Sequence, residues 1–394
     1  MVQRGARRQY ALARMLHKAG CLECLYTDSN GSQGLGRWAS RGWMPRPLKK
    51  LVDRRVEGVP PDRLRTTDLA ALLDPYLRMT SASSFEFNTR RDRLFSKALI
   101  RWGTQGADTV CSMMGEGWDF LVGAKERGLR VALDVFCIPI THRIIEAERK
   151  MFPGWEQPDT SPYDRLEEML DGRFRLADVL LCPSPQVVEG LRAYPSFDAE
   201  KIRLVPYPHT MAAVSRENSA ETHGKVLFGG AAVLGKGIHY YCKAAEILAR
   251  AGERMEFLAA GPASELARNR PEAAWVRFLG PLPRPDFLKE LRSSSVFVLP
   301  TLAEGSAGVI SEALCSGVPV VTTRSAGSAA TDGKEGRIVP ERDPEALAEA
   351  VREIVSDREL RASMSAQALR TAADYTEDRW QERLVQALQP PRRY

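Results

Sequence analysis

Short apolar runs rich in β-branched residues alternate along this chain with stretches whose apolar positions recur every three to four residues. That alternation predicts strands and helices in turn, layered around parallel sheets. In the first half it predicts a helix over 8–18 and strands over 22–27, 110–114, 131–136, 179–182 and 202–206. Helices are predicted over 118–127, where Gly128 supplies a C-terminal stop, and over 185–194. Residues 207–224 lose periodicity and read as a connection. The second half restarts with a strand over 226–228, a helix over 238–251, strands over 255–259 and 276–279 and a helix over 287–293. A further helix begins near Pro344, and helical stretches continue to Leu388. The expected class is therefore α/β, with two doubly wound domains in tandem. Ligands of such sheets bind beyond the carboxyl ends of the strands, so a central cleft between the domains is the expected site.

The densest local signal lies at 296–323. An apolar run ends at Pro300, Glu304 follows in a turn, and Gly305-Ser306-Ala307-Gly308 opens a short helix carrying Glu312. Gly317 stops that helix and an apolar run resumes at Val318. A helix opened by small residues leaves its first N–H groups free for a phosphate or pyrophosphate. Helical side chains lean towards the N-terminus, so Glu312 can reach back to whatever sits there. A carboxylate accepts two hydrogen bonds from a vicinal diol, which is how a ribose is held. These residues point to a sugar nucleotide.

A second glycine loop runs from Gly230 to Gly237 after the strand at 226–228. Gly230, Gly235 and Lys236 satisfy the G-x-x-x-x-G-K spacing of a phosphate-binding P-loop, yet position 237 is Gly instead of the Ser or Thr that would hold magnesium. Lys236 at the start of a helix is a cation suited to a diphosphate; the plain alternative is a surface lysine. An NTPase stays open as a rival reading.

Composition adds bounds. At 394 residues and 44% hydrophobic the chain can bury two ordinary cores. No apolar run approaches the ~18–20 residues of a spanning helix, and the start lacks the apolar stretch of a signal peptide, so a cytoplasmic location is expected. Of seven cysteines only Cys21 and Cys24 are close together, and nothing nearby completes a zinc set. Residues 1–100 hold 19 Lys and Arg against 9 Asp and Glu. The densest piece, 37–55, interleaves Trp38, Trp43, Met44 and Leu48 with Arg41, Arg46, Lys49, Lys50 and Arg54. Such a segment suits an anionic membrane surface or a phosphate-bearing acceptor, with a solvated loop and helix as the bland alternative. No zinc-finger or RNA-binding signature accompanies the charge, so nucleic acid is not an expected partner.

Taken together, the motifs resemble the retaining glycosyltransferases of family 4 (group 1). The resemblance rests on Lys236-Gly237, Pro300-Thr301, Glu304-Gly305, Glu312-Ala313 and Gly317-Val318-Pro319-Val320, supported by Ala260-Gly261-Pro262 and Phe278-Leu279-Gly280. It covers about residues 178–385 and extends less specifically to 1–150, where Arg4-Gly5-Ala6-Arg7-Arg8 fits the family's first glycine loop. It implies a GT-B fold, two Rossmann-like domains facing a central cleft. The domains would be 1–206 for the acceptor and 225–375 for the nucleotide sugar, joined by 207–224, with 376–394 crossing back as a helix. It implies sugar transfer from a nucleotide-diphosphate sugar to an acceptor hydroxyl of a glycan, lipid-linked or small-molecule acceptor, with no metal or other cofactor required. By the same resemblance Glu304 contacts the donor sugar, Lys236 the diphosphate and Glu312 the ribose, while Gly305, Ser306, Ala307 and Gly308 cradle hydroxyls or the β-phosphate. Gly5, Gly230, Gly261, Leu282 and Thr301 complete the expected donor set. Three departures stand out. Ala231 replaces a second cation, which Arg4, Arg7 or Arg8 would have to supply. Smaller residues follow Glu304 than is common. No histidine ends the strand over 131–136, so His142 either takes a catalytic role from the next loop or is an ordinary helix residue. These departures keep a catalytically impaired binding module as an alternative.

Overall fold

β-branched and aromatic runs that can be covered on both faces become parallel strands. The computed structural model describes residues 1–33, 54–159, 161–209, 211, 213 and 221–389. Its first half carries β1 (Leu25–Asp28), β2 (Leu64–Thr67), β3 (Thr109–Met113), β4 (Arg130–Asp134), β5 (Val179–Cys182) and β6 (Ile202–Leu204). Val2 bridges in parallel to both Tyr26 and Ser112, so the first residues form the seam between β1 and β3. The order is β2–β1–Val2–β3–β4–β5–β6. Along β4 the side chains alternate faces: Ala132 joins the core beneath the helix Ala11–Lys18, while Val131 and Leu133 join the core around Phe95 and Phe120.

The second half carries β7 (Lys225–Gly229), β8 (Glu256–Ala260), β9 (Val276–Gly280), β10 (Val296–Leu299), β11 (Val320–Thr323) and β12 (Gly336–Val339). All pair in parallel, in the order β12–β11–β10–β7–β8–β9. β5, β7, β10 and β11 are buried at every residue. The chain runs outward from β7 to one side and then from β10 to the other, so the strand order reverses between β7 and β10. That reversal opens a crevice at their carboxyl ends.

Helices over Leu69–Thr80, Ser84–Trp102, Thr141–Met151 and Tyr163–Leu176 join those the periodicity singled out, as do strands β2 and β12. The longest, Ser84–Trp102, is capped at its start: Ser83 accepts from the Glu86 amide at 3.2 Å and Glu86 reaches back to accept from the Ala82 amide, just before the cap, at 2.8 Å.

Two segments cross between the halves. The helix Glu377–Leu388 places Trp380, Leu384 and Ala387 in the N-terminal core beside Leu12 and Leu16. In the other direction Trp155, with Ile144 and Phe152, packs into the C-terminal core, although these residues lie inside the span 1–206 expected to form the first domain. Glu148 is fully buried at that contact and accepts from Tyr240 at 3.0 Å, from Arg342, and pairs with His239 at 3.0 Å. Of the basic Trp-bearing stretch, positions 37–53 lie outside the described residues, as do 210, 212 and 214–220 of the connection and 390–394 of the C-terminal segment. No helix among the described residues is long and apolar enough to cross a membrane.

Candidate functional site

The segments leaving β7, β8 and β10 meet at the crevice. Gly230 and Gly261 have φ of 126° and 145°, and a Cβ on Gly261 would lie 2.0 Å from the Gly230 carbonyl oxygen. Only glycine lets these two loops approach so closely. Beside them opens a cavity of about 290 Å³ lined by Gly230, Gly261, Leu282, Arg284, Phe287 and Glu312. Glu312 projects from the helix Gly308–Cys315 and is 8% exposed. Its Oε1 accepts from Arg284 Nη1 at 2.6 Å. Sequence reasoning missed Arg284, which follows β9 by four residues and so stands at a strand's carboxyl end.

Lys236 closes the turn Leu234–Lys236 and is followed by Gly237 at φ 72°. A Cβ at Gly237 would lie 1.9 Å from the Pro300 carbonyl oxygen, so the loop is pressed against the end of β10. The Thr301 hydroxyl and the Leu302 amide both donate to the Gly235 carbonyl at 2.9 Å. That clamp sets Lys236 Nζ on the Glu304 carboxylate, each side chain about a quarter exposed. Glu304 is itself held by its amide, which donates to the Ser325 carbonyl at 3.0 Å, and Ser325 is anchored on Glu341 at 2.9 Å. The amides of Gly305, Ser306 and Gly308 find no acceptor among the described residues. Ala307 differs from the expected cradle: its amide donates to the Ala326 carbonyl at 2.9 Å.

The opposite wall comes from the first half. A Cβ on Gly305 would lie 1.9 Å from the Phe136 carbonyl oxygen, so Phe136 and Cys137 face the Glu304 turn where a strand-end histidine was sought. Burial pushes the Cys137 thiol up to about 11, and the Glu304 charge adds to the shift. The Arg7 guanidinium lies 3.4 Å over the Phe136 ring. Arg8 stacks 3.7 Å over Tyr207 and reaches the Ser306 carbonyl at 3.5 Å. Gly327, also missed, has φ 58°, and a Cβ there would lie 2.4 Å from the Gly305 carbonyl oxygen.

Other expected residues are differently engaged. The Gly5 amide donates to Asp28 Oδ1 at 2.8 Å, so it shapes the first loop and is not free for a phosphate. Thr301 is fully buried and serves the Gly235 clamp without facing the cavity. Arg4 turns away to Asp92 at 3.5 Å and Glu116 at 3.7 Å. His142 is the second residue of the helix Thr141–Met151, with Nε2 on Glu167 at 2.7 Å and its ring stacked on Tyr163. It lines a separate cavity of about 490 Å³, shared with Arg4 and Cys137.

The P-loop reading fails on the amides of 230–237. Gly230 donates to Ala260, Ala232 to Pro262, Lys236 to Val233 and Gly237 to Leu234, while Leu234 donates to Glu156 Oε1 at 2.7 Å. A phosphate-wrapping loop needs those N–H groups free.

Residues 223–357 match the family described as glycosyl transferases, group 1. A D-inositol 3-phosphate glycosyltransferase of Corynebacterium urealyticum is 34% identical over 124 residues, covering 31% of this chain and 29% of that protein. The chain thus matches less than a third of that relative's length. Among solved structures, sucrose-phosphate synthase from Thermosynechococcus elongatus aligns with TM-score 0.65 at 17% identity, over 95% of this chain and 90% of that one. HepE of Anabaena, in complex with UDP and glucose, aligns with TM-score 0.61 at 12% identity over 98% of both chains. At such identities these likenesses carry the fold.

Proposed function

We propose that this chain, whose residues 223–357 match the group 1 glycosyl transferases and which adopts a GT-B fold, moves a glycosyl unit from a nucleotide-diphosphate sugar to an acceptor hydroxyl with retention of configuration. What supports the reading most is the convergence of Lys236, Glu304 and the free amides of 305, 306 and 308 beside the Glu312 cavity. In this reading the ribose diol takes the Glu312 carboxylate from Arg284. The diphosphate takes Lys236 from Glu304, which then turns to the sugar. Cations and helix N-termini aimed at a departing diphosphate stabilise the charge that develops there. Glu304 orients the sugar and balances the oxocarbenium-like centre; it is given no covalent role. No step is assigned to a metal ion, so turnover survives chelation by EDTA. HepE was solved with UDP, which makes a uridine donor the first choice. The acceptor is a glycan, a lipid-linked glycan or a small molecule, and the basic first hundred residues draw the protein to an anionic membrane surface.

Thermal shift against UDP-, GDP- and ADP-sugars tests donor binding, since a ligand at ~100 times its dissociation constant stabilises by ~2.7 kcal/mol. Glu304→Gln is expected to lower turnover by about 100-fold or more, the scale of losing one transition-state contact. Lys236→Ala is expected to weaken both UDP affinity and turnover. Wild-type rates from both variants overturn the assignment. A second reading, an impaired binding module, is favoured by Phe136-Cys137 facing Glu304 and by Ala231 offering no cation. It requires nucleotide binding with no donor turnover in the presence of any acceptor.

A further inference from the structure

The 490 Å³ cavity beside the cleft takes no part in the donor chemistry. One wall is apolar, formed by Phe85, Ile138, Ile145, Leu166, Met169 and Leu170. Two arginines line it where it meets the Met114–Glu116 turn. Arg4 is 15% exposed; its Nη1 is buried without an acceptor, and its Nε makes no hydrogen bond, only the 3.7 Å ion pair to Glu116. Arg173 donates from Nη1 to the Met114 carbonyl at 3.0 Å, while its buried Nε has none. No carboxylate among the described residues lies within ion-pair distance of Arg173. The acids nearby are already committed. Asp92 accepts the Gly117 and Trp118 amides at 2.9 and 3.0 Å, and Glu116 accepts the Arg4 amide at 2.6 Å.

The remaining charges on the lining are paired. Arg149 meets Glu156 at 3.0 Å and Asp159 at 3.4 Å, and His142 sits on Glu167. Burial pushes Glu116 up to about 7 against the lowering pull of Arg4, and burial with the neighbouring Arg4 charge pushes Arg173 down from its ordinary value. Two buried guanidinium nitrogens, Arg4 Nη1 and Arg173 Nε, thus lack any acceptor, and each orphan costs about 1–3 kcal/mol. A phosphate offers several acceptor oxygens and two negative charges, and the arginine fork matches its geometry.

We propose that this cavity binds a phosphorylated acceptor, with Arg4 and Arg173 holding the phosphate and the apolar wall lying against the acceptor's body. Calling the ligand an acceptor rests on the glycosyl-transfer reading; the phosphate site does not. His142 and Cys137 line the same cavity, and Cys137 also faces the Glu304 turn, so a ligand here lies alongside the donor sugar.

Calorimetry on the full chain without donor tests this directly. Glucose 6-phosphate and inositol 1-phosphate are compared with glucose and inositol, and a short-chain prenyl phosphate with its alcohol. The phosphorylated member of at least one pair is expected to bind ten-fold or more tightly than its neutral counterpart. The pair that does so tells a sugar phosphate from a lipid phosphate. Arg173→Met and Arg4→Met are expected to abolish that preference, Arg173→Lys to restore part of it, and UDP affinity to stay within two-fold. Equal binding across every pair, including none at all, overturns the proposal, as does a preference that survives Arg173→Met. Loss of the preference with UDP still bound sinks this inference alone. A retained preference without nucleotide binding sinks the transfer reading instead.

Discussion

Glu304 and Glu312 stand eight residues apart, and each already holds a cation: Lys236 on the first, Arg284 on the second. Each pair balances a carboxylate with a cation, and in the proposed reading a nucleotide sugar exchanges these pairs for its own hydroxyls and phosphates. Solvent reaches Lys236 and Glu304, each about a quarter exposed, and Arg284, which is half exposed, so each pair contributes little stability, about 1 kcal/mol, and its removal is read in binding and turnover more than in unfolding. His209 presents the opposite case. Its Nδ1 meets Ser311 and its Nε2 is buried without a partner. Burial first, and then the nearby Arg8, hold its pKa down at about 4. Between pH 6.5 and 4 the unfolded chain therefore takes up a proton that the folded imidazole refuses. Stability from this site is full above 6.5 and falls by up to about 3 kcal/mol as pH drops to 4. His209→Gln should flatten the urea midpoint over that window. Asp134, raised by burial to about 6, has the opposite slope in both proteins, so the wild-type-minus-variant difference isolates the histidine.

At the scale of elements, two devices join the halves. The helix Thr141–Met151 belongs by sequence to the first half, yet buries Glu148 against His239, Tyr240 and Arg342. Removing one partner of a buried charge network costs about 3–5 kcal/mol. Glu148→Ala should lower the unfolding midpoint accordingly, with Glu148→Gln milder because it keeps an acceptor; equal midpoints would show that the network carries no load. The second device is the contact of Gly305 with Phe136. A methyl group at 305 cannot coexist with the Phe136 carbonyl at 1.9 Å, so Gly305→Ala must push the halves apart. The expected outcome is a turnover loss of at least ten-fold together with weaker UDP binding, because the Gly305 amide is among those offered to the diphosphate.

For the whole molecule, the terminal helix ties the second half back to the first. Trp380 is 1% exposed in the N-terminal core, 6.0 Å from the Tyr207 ring. Arg14 meets Glu377 at 2.9 Å and Arg130 donates to the Leu388 carbonyl at 2.6 Å. Trp380→Ala should cost about 3–5 kcal/mol by leaving a cavity. It should also loosen the arrangement of the halves, seen as a larger radius of gyration by X-ray scattering. An unchanged radius would assign the orientation to the Glu148 and Gly305 contacts alone.

Periodicity and spacing were enough for the α/β class, the strands of both sheets apart from β2 and β12, and the glutamate-bearing turn. Each of these depends on residues within a few positions of one another. The helix Ser84–Trp102 is harder to see because charged residues crowd its apolar stripe, although Ser83 and Glu86 mark its start. Only the folded chain decided which amides stay free, since those of Gly230, Ala232 and Leu234 are taken by segments that the sequence does not order in space. Arg284 reaches Glu312 from 28 residues away, and Arg173 joins Arg4 across more than 160. Local pattern determines which elements form and which turns expose polar backbone. Tertiary packing determines which distant charges share a cavity, because burial and partner choice depend on where strands from different parts of the chain come to lie side by side.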